Sequence, residues 1–337
     1  MNSDIDIVLP WVDGNDPVWQ KGREEAAKKK EVLDSANSAV RYESWDNLQY
    51  VFRGIEKFMP WVHRVFLVTC GQIPDYLNFD NPKLKLVRHC DYIPAEYLPT
   101  FNSNVIELNY HRIKELSENF ILFNDDCYPL KPIPETYYFQ DDLPCDEAVE
   151  SPIMPVDSGV ISRYSNYVKA NNILFINQHF KKREVQEKNW DKWYYEGYGE
   201  LLDRNRGLHY WNNFAGFHDY HMPVPIKKST LQFLWNIEPE TFDRGSRNQF
   251  RDASDMSQYV VRYWQLCTGN FVPQKSTGKF FLVTKENCSE VGEAIRQSVA
   301  PMVCLTEDCS SDDFVVIKQE INAALKTLLP DKSSFEK

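Results

Sequence analysis

Hydrophobic and polar positions fall into short blocks along this chain. DIDIVLPWVDGNDP (residues 4–17) holds an apolar run closed by Gly, Asn, Asp and Pro, the pattern of a strand and then a turn. Residues 18–40 are polar, with a Lys28–Lys30 run, and predict a solvated helix or mobile loop. SWDNLQYVFRGIEKFMPW (44–61) places Leu48, Val51, Phe52, Ile55 and Phe58 on one helical face, with Ser44 as the cap and Pro60 as the stop. RVFLVTCGQIP (64–74), KLKLVRHCDYIP (83–94) and NFILFNDDCYPL (119–130) read as strands. NSNVIELNYHRIKELS (102–117) between the last two reads as a helix.

Alternating strands and helices predict an α/β fold with a mostly parallel, Rossmann-like sheet flanked by helices. Ligands of such sheets gather beyond the carboxyl ends of the strands. Asp13, Cys70, Gly71, His89, Asp125 and Asp126 fall at those ends. From about residue 145 the texture changes, and a helical portion is expected to pack on the sheet. Residues 1–145 form the α/β half and 146–337 a helical or mixed half, in one integrated catalytic unit. SDMSQYVVRYWQL (254–266) predicts a helix capped by Asp252 or Ser254. SDDFVVIKQEINAALKTLLP (311–330) predicts an amphipathic helix capped by Ser311, with Asp312 and Asp313 at the positive end of its dipole.

Composition narrows the classes. A formal net charge of −11 over 337 residues disfavours a nucleic-acid binder. The N-terminus lacks the basic segment of a secretory signal, and no apolar run is long enough to span a bilayer. The eight cysteines form no C-x-x-C pair, so reduced thiols in a cytoplasmic protein are expected.

The chemistry-bearing positions follow. Adjacent Asp125 and Asp126 repel each other, and both can serve one site only if the strand has ended in a turn. A hard cation such as Mg²⁺ takes one or two such carboxylates plus substrate phosphates, whereas the bland alternative is a solvated strand end. Gly14 lets backbone approach a ligand, while Asp13, Asn15 and Asp16 also suit a plain Asx turn. Asn102, Ser103 and Asn104 precede a helix and read equally as a cap or a phosphate contact. His218 and His221 lie in FHDYHMPVPIKK (217–228), where the prolines argue against a helix. Arg251 in NQFRDASDM (248–256) suits a bidentate phosphate contact or an ordinary ion pair. The aromatics of residues 181–211 suit core packing, sugar stacking or a lipid-linked acceptor.

Taken together, these segments resemble the Stealth family of sugar-1-phosphate transferases. The resemblance rests on four ordered blocks: IDIVLPWVDGNDPVW; RYESWDNLQYVFRGIEKFMPWVHRVFLVTCGQIPDYL through LPTFNSNVIE to FILFNDD; HMPVPIKKSTLQ with RNQFRDASDM; and MVCLTEDCSSDDF. It implies transfer of a hexose-1-phosphate, GlcNAc-1-phosphate or GalNAc-1-phosphate, from a UDP-sugar to a sugar hydroxyl. UMP leaves and a phosphodiester forms in capsular or cell-surface polysaccharide. It implies catalytic roles for Asp6, Asp126, His221 and Arg251. Trp11, Asp13, Gly14, Asn102, Ser103 and Asn124 would contact the donor, and Asp126 with Asp125 would hold Mg²⁺ or Mn²⁺. The acceptor is a sugar or lipid-linked oligosaccharide, met by a cytoplasmic protein peripheral to the inner membrane. Two departures stand out. Val224–Pro225 replaces a polar position, and Thr306–Glu307 follows Cys304–Leu305 where Asn-Asp is common. A conventional glycosyltransferase releasing UDP and a non-enzymatic nucleotide-sugar sensor are the competing readings.

Overall fold

The structure, a computed structural model, describes residues 3–28, 44–156 and 163–337. The Lys29–Lys30 part of the basic run lies outside the described residues. Eleven strands occur among them: β1 (Ile5–Pro10), β2 (Val65–Thr69), β3 (Leu84–Arg88), β4 (Asn119–Leu122), β5 (Cys127–Pro129), β6 (Phe139–Gln140), β7 (Leu143–Asp146), β8 (Val224–Lys227), β9 (Val272–Pro273), β10 (Lys279–Val283) and β11 (Met302–Glu307).

The principal sheet has the order β3-β2-β1-β4-β8. Its first four strands are parallel, and β8 runs antiparallel on the β4 edge. This is the α/β, mostly parallel sheet that the alternating pattern predicts. Helices cover both faces, so β1, β2 and β4 read as continuous apolar runs. Their alternate side chains feed two cores. Ile5, Ile7, Leu9, Val65 and Leu67 join one. Val8, Phe66, Val68, Phe120 and Leu122 join the other. Each core mixes residues from before and after 145, with Ile317 and Ile321 in the first and Val260 and Val261 in the second. Pro225 falls in the edge strand, where a missing amide donor is tolerated.

A smaller sheet, β10-β11-β5, lies beyond the carboxyl end of β4. β5 begins directly after the Asp125–Asp126 turn, and β11 pairs with it antiparallel, Cys304 opposite Cys127. The Asp126 carbonyl accepts the Leu305 amide at 3.0 Å, while the Phe123 amide donates to Val8 at 2.9 Å. The acidic turn is therefore tied to both sheets.

Local chemistry shifts several boundaries. The helix Leu48–Phe58 starts after Asn47, and Ser44 instead donates to Asp46 at 2.8 Å. The expected helix over 102–117 is Ser103–Leu108 followed by a 3₁₀ turn, Tyr110–Arg112. The Asn109 side chain takes the Val105 carbonyl at 2.8 Å, the acceptor that continuing the helix would use. The helix near Arg251 begins only at Tyr259, because Asp252 and Asp255 bond locally to Ser254 and Asp252 amides in a turn. In the C-terminal helix Ser311–Leu328, the capping side chain is Ser310, which accepts the Asp313 amide. All eight cysteines are free thiols. No helix among the described residues is long and apolar enough to cross a membrane.

Candidate active site

The chain leaves β4 at Leu122, and Cys127 N–H closes a turn onto the Asn124 carbonyl at 3.2 Å. That turn ends the extended alternation that would send the two carboxylates to opposite faces. Asp125 keeps solvent contact there. Crowding by protein around it, with Asp126 and Glu307 nearby, pushes its carboxyl up to about 7. Glu307, at the end of β11, is held by Trp45 Nε1 at 3.3 Å. Asp125 thus sits in the fields of two further carboxylates, Asp126 and Glu307.

His221 comes to the same place from the loop before β8, in a left-handed backbone conformation with φ 49°. Such a conformation is unfavourable for a non-glycine residue and recurs at functional sites. Its Nδ1 lies 3.2 Å from Cys304 Sγ. The Cys304 thiol group and the Asp126 carboxylate outweigh the desolvation of the ring and push the imidazolium up to about 9. Donor atoms of Asp126, His221 and Cys304 all lie within 4.8 Å of one another.

Arg251 approaches from the loop ahead of Tyr259–Thr268, with Nη2 3.4 Å from Ser103 Oγ and the guanidinium 5.6 Å from the Tyr164 ring centre. Glu107, on the helix Ser103–Leu108, feels the charges of both Arg251 and His221. Burial pushes its carboxyl up to about 7, opposed by the charges of Arg251 and His221. Glu107 was not singled out in the sequence, where NVIELN reads as ordinary helix. Its signal was its place one turn after Asn102–Asn104, on a helix pointing at the strand ends.

The remaining expected residues divide. Asp13 accepts the Asn15 amide at 2.9 Å in an Asx turn, and Gly14 is buried with its carbonyl taking Gln20 Nε2. Gln72 grips this loop from the next strand end, accepting the Asp13 amide and donating to the Asp13 carbonyl, both at 2.9 Å. Trp11 is partly buried against the first core. Asn102 is fully buried, accepting Asn104 N–H and donating to Asp255 at 2.8 Å, so its side chain ties two loops together and has no surface to offer a donor. Asn124 is half-buried beside the acidic turn. His89 stands at the end of β3 but is buried, which pulls its pKa down to about 4 and keeps it neutral. His218 pairs with Glu147, away from the acidic turn.

Asp6 is not with this group. It pairs in register with Phe120, so Asn124 lies about 13 Å further along the strand direction at about 3.3 Å per residue. Its carboxylate is fully buried, faces His63 Nδ1 at 2.9 Å and accepts the Ser117 amide at 2.8 Å. Asp6, expected among the catalytic residues, stands at the opposite end of β1 from the acidic turn.

Carboxylates, a histidine and an arginine near the carboxyl edge of a parallel sheet are groups that a transferase enzyme, a phosphotransferase, would use. Conserved regions 1, 2 and 3 of Stealth proteins match residues 3–31, 41–145 and 220–259. The chain belongs to the Stealth family. It is 35% identical to a capsular polysaccharide phosphotransferase WcwK of Streptococcus pneumoniae, covering 99% of this chain and 98% of that one. The exopolysaccharide phosphotransferase cps2G of Lactiplantibacillus plantarum is 34% identical, with 99% and 96% covered. The receptor polysaccharide phosphotransferase WefC of Streptococcus oralis is 33% identical, with 98% and 99% covered.

Proposed function

We propose that this enzyme transfers a hexose-1-phosphate from a UDP-sugar, UDP-GlcNAc or UDP-GalNAc, to a hydroxyl of a sugar or lipid-linked oligosaccharide, releasing UMP during capsular or surface polysaccharide synthesis. The closeness of Asp126 and His221 beyond the carboxyl end of β4, with Glu107 in the fields of His221 and Arg251, carries this reading. Phosphoryl transfer asks mainly for positioning and charge neutralisation, and these groups supply both. Arg251, steadied by Ser103, holds diphosphate oxygens. His221, cationic below about 9, donates to the reacting phosphate. Glu107, poised near neutrality, accepts the proton of the attacking hydroxyl.

The adjacent carboxylates of Asp125 and Asp126 offer the oxygen ligands that a hard cation takes, whereas the Cys304 thiol beside Asp126 does not. Mg²⁺ or Mn²⁺ on the aspartates would neutralise phosphate charge. A peripheral place at the inner membrane fits a lipid-linked acceptor. The discriminating experiment is mass spectrometry of one turnover mixture. UMP release dependent on acceptor supports the reading. UDP release would mean glycosyl transfer, and saturable donor binding with no nucleotide release would mean a sensor.

A further inference from the structure

Cys304 touches no substrate group in the phosphotransfer just described, where it acts only on His221. It lies on β11, fully buried, with Cys127 directly opposite on β5. The Cys127 thiol donates to Asp126 Oδ1 at 3.4 Å. One oxygen, one imidazole nitrogen and one sulfur therefore meet at a single point, from Asp126, His221 and Cys304. Asp126 is half-buried and His221 exposed, so that point is open to the cleft on one side.

This donor set does not suit the hard cation that phosphoryl transfer uses. Mg²⁺ takes oxygen ligands, while thiolate and imidazole select thiophilic metals. Three protein ligands with one open position is the arrangement of a tetrahedral Zn²⁺ site that keeps a water or substrate. Zinc bonds of about 2.3 Å to sulfur and about 2.0 Å to nitrogen set those two atoms roughly 3.5 Å apart. The observed Nδ1–Sγ separation is 3.2 Å, so that pair is already spaced for coordination. A carboxylate oxygen of Asp126 lies within 4.8 Å of both.

We propose that Asp126, His221 and Cys304 form a site for a thiophilic divalent cation, Zn²⁺ foremost, and that filling it silences the enzyme. Binding replaces the Cys304 S–H bond with a sulfur–zinc bond and expels the proton to solvent. It also expels the His221 Nδ1 proton to solvent, leaving the imidazole neutral and metal-bound, and it takes the Asp126 carboxylate away from Mg²⁺. Affinity therefore falls as the pH drops. Cys127, behind Cys304, supports the sulfur from the second strand. The inhibitory half of the proposal rests on Asp126 and His221 serving the reaction, whereas the binding half does not.

The test uses the full chain, metal-stripped and kept reduced. Titration with Co²⁺ reads thiolate coordination directly, through a sulfur-to-metal charge-transfer band in the near ultraviolet. Zn²⁺ affinity is read by competition with a chromophoric chelator. One equivalent of metal, the band in the wild type and its loss in Cys304→Ser support the site. Cys304→Ser and His221→Gln are each expected to weaken Zn²⁺ at least ~10²-fold, the upper end of what losing an outer-shell partner costs. His221 is exposed, so His221→Gln keeps the test decisive where a strand substitution disturbs folding. No charge-transfer band, or Zn²⁺ affinity unchanged in both variants, overturns the site. Nucleotide release in excess Mg²⁺ is then measured with one equivalent of Zn²⁺, before and after a chelator. Loss and full recovery support inhibition. Full turnover by zinc-loaded enzyme overturns the inhibitory half and the catalytic assignment of Asp126 and His221 with it, leaving the binding result intact.

Discussion

Asp6 Oδ1 lies 2.9 Å from His63 Nδ1, and Asp6 Oδ2 accepts the Ser117 amide, at the end of β1 remote from the acidic turn. Removing this carboxylate takes the acceptor from the part-buried Ser117 amide and the buried partner from His63 and Arg64. Asp6→Ala is expected to lower stability by about 2–4 kcal/mol, the range for losing a buried charged acceptor. Turnover per folded molecule should stay within a few-fold of wild type. Urea denaturation with active-site titration measures both, and a large loss of kcat with intact stability would return Asp6 to the catalytic set.

Asp126→Ala and Arg251→Ala should each lower kcat at least ~10²-fold at saturating donor, the scale of one strong transition-state contact. Both groups face the cleft, so circular dichroism and melting should change little. Near-normal turnover by Asp126→Ala would sink its assignment.

The rate should follow a bell-shaped pH profile. Glu107 must lose its proton to act as base, so activity rises as the pH passes about 7. His221 must keep its proton, so activity falls above about 9. Glu107→Gln removes the acid limb along with most of the rate. Cys304→Ala removes the largest cause that raises His221, and the alkaline limb should move toward neutrality. An unmoved alkaline limb would show that another group sets it.

Glu107 also predicts the pH dependence of stability. Its folded pKa is raised from 4.5 to about 7, so the folded state holds a proton that the unfolded chain has already released between those values. Its contribution therefore favours folding below about 4.5 and is lost as the pH rises through about 7. Relative to wild type, Glu107→Gln should gain stability between pH 5 and pH 8, by at most about 3 kcal/mol at 1.36 kcal/mol per pKa unit. Urea midpoints at the two pH values give the difference.

Gly54, in the helix Leu48–Phe58, packs against β5. A Cβ there would stand 2.9 Å from the Pro129 carbonyl oxygen and ring. Gly54→Ala should destabilise by about 1–3 kcal/mol through overpacking. Because β5 carries the chain out of the acidic turn, kcat should fall as well, and thermal melts beside kinetics would separate the two effects.

The sheet was legible because each parallel strand is a compact apolar run ended by Gly, Pro, Asp or His. Asp126 was legible for the same reason, since it follows such a run. Helix ends were less so. Ser44 and Ser311 look like caps, but the turns around Asn47 and Ser310 start the helices instead. Asn102 carries the signature of a donor contact, and only its tertiary partners, Asp255 above all, show the side chain spent. Asp6 shares an apolar strand with the site, but register puts it at the wrong end. Glu107 and Cys304 were missed as site residues because the proximity that matters, to Arg251 and His221, arises between segments far apart in sequence.

That separation has a temporal side. Glu107, Asp126, His221, Arg251 and Cys304 meet only after β11 docks on β5, the strand that follows the acidic turn. Long-range pairings of this kind form late, and domains take shape as the ribosome delivers them. A chain still being made can build the parallel sheet but not the complete centre. Translation that stops short of residue 304 leaves both the centre and the first core unfinished, because Ile317, Ile321 and Leu325 that fill that core are still to come.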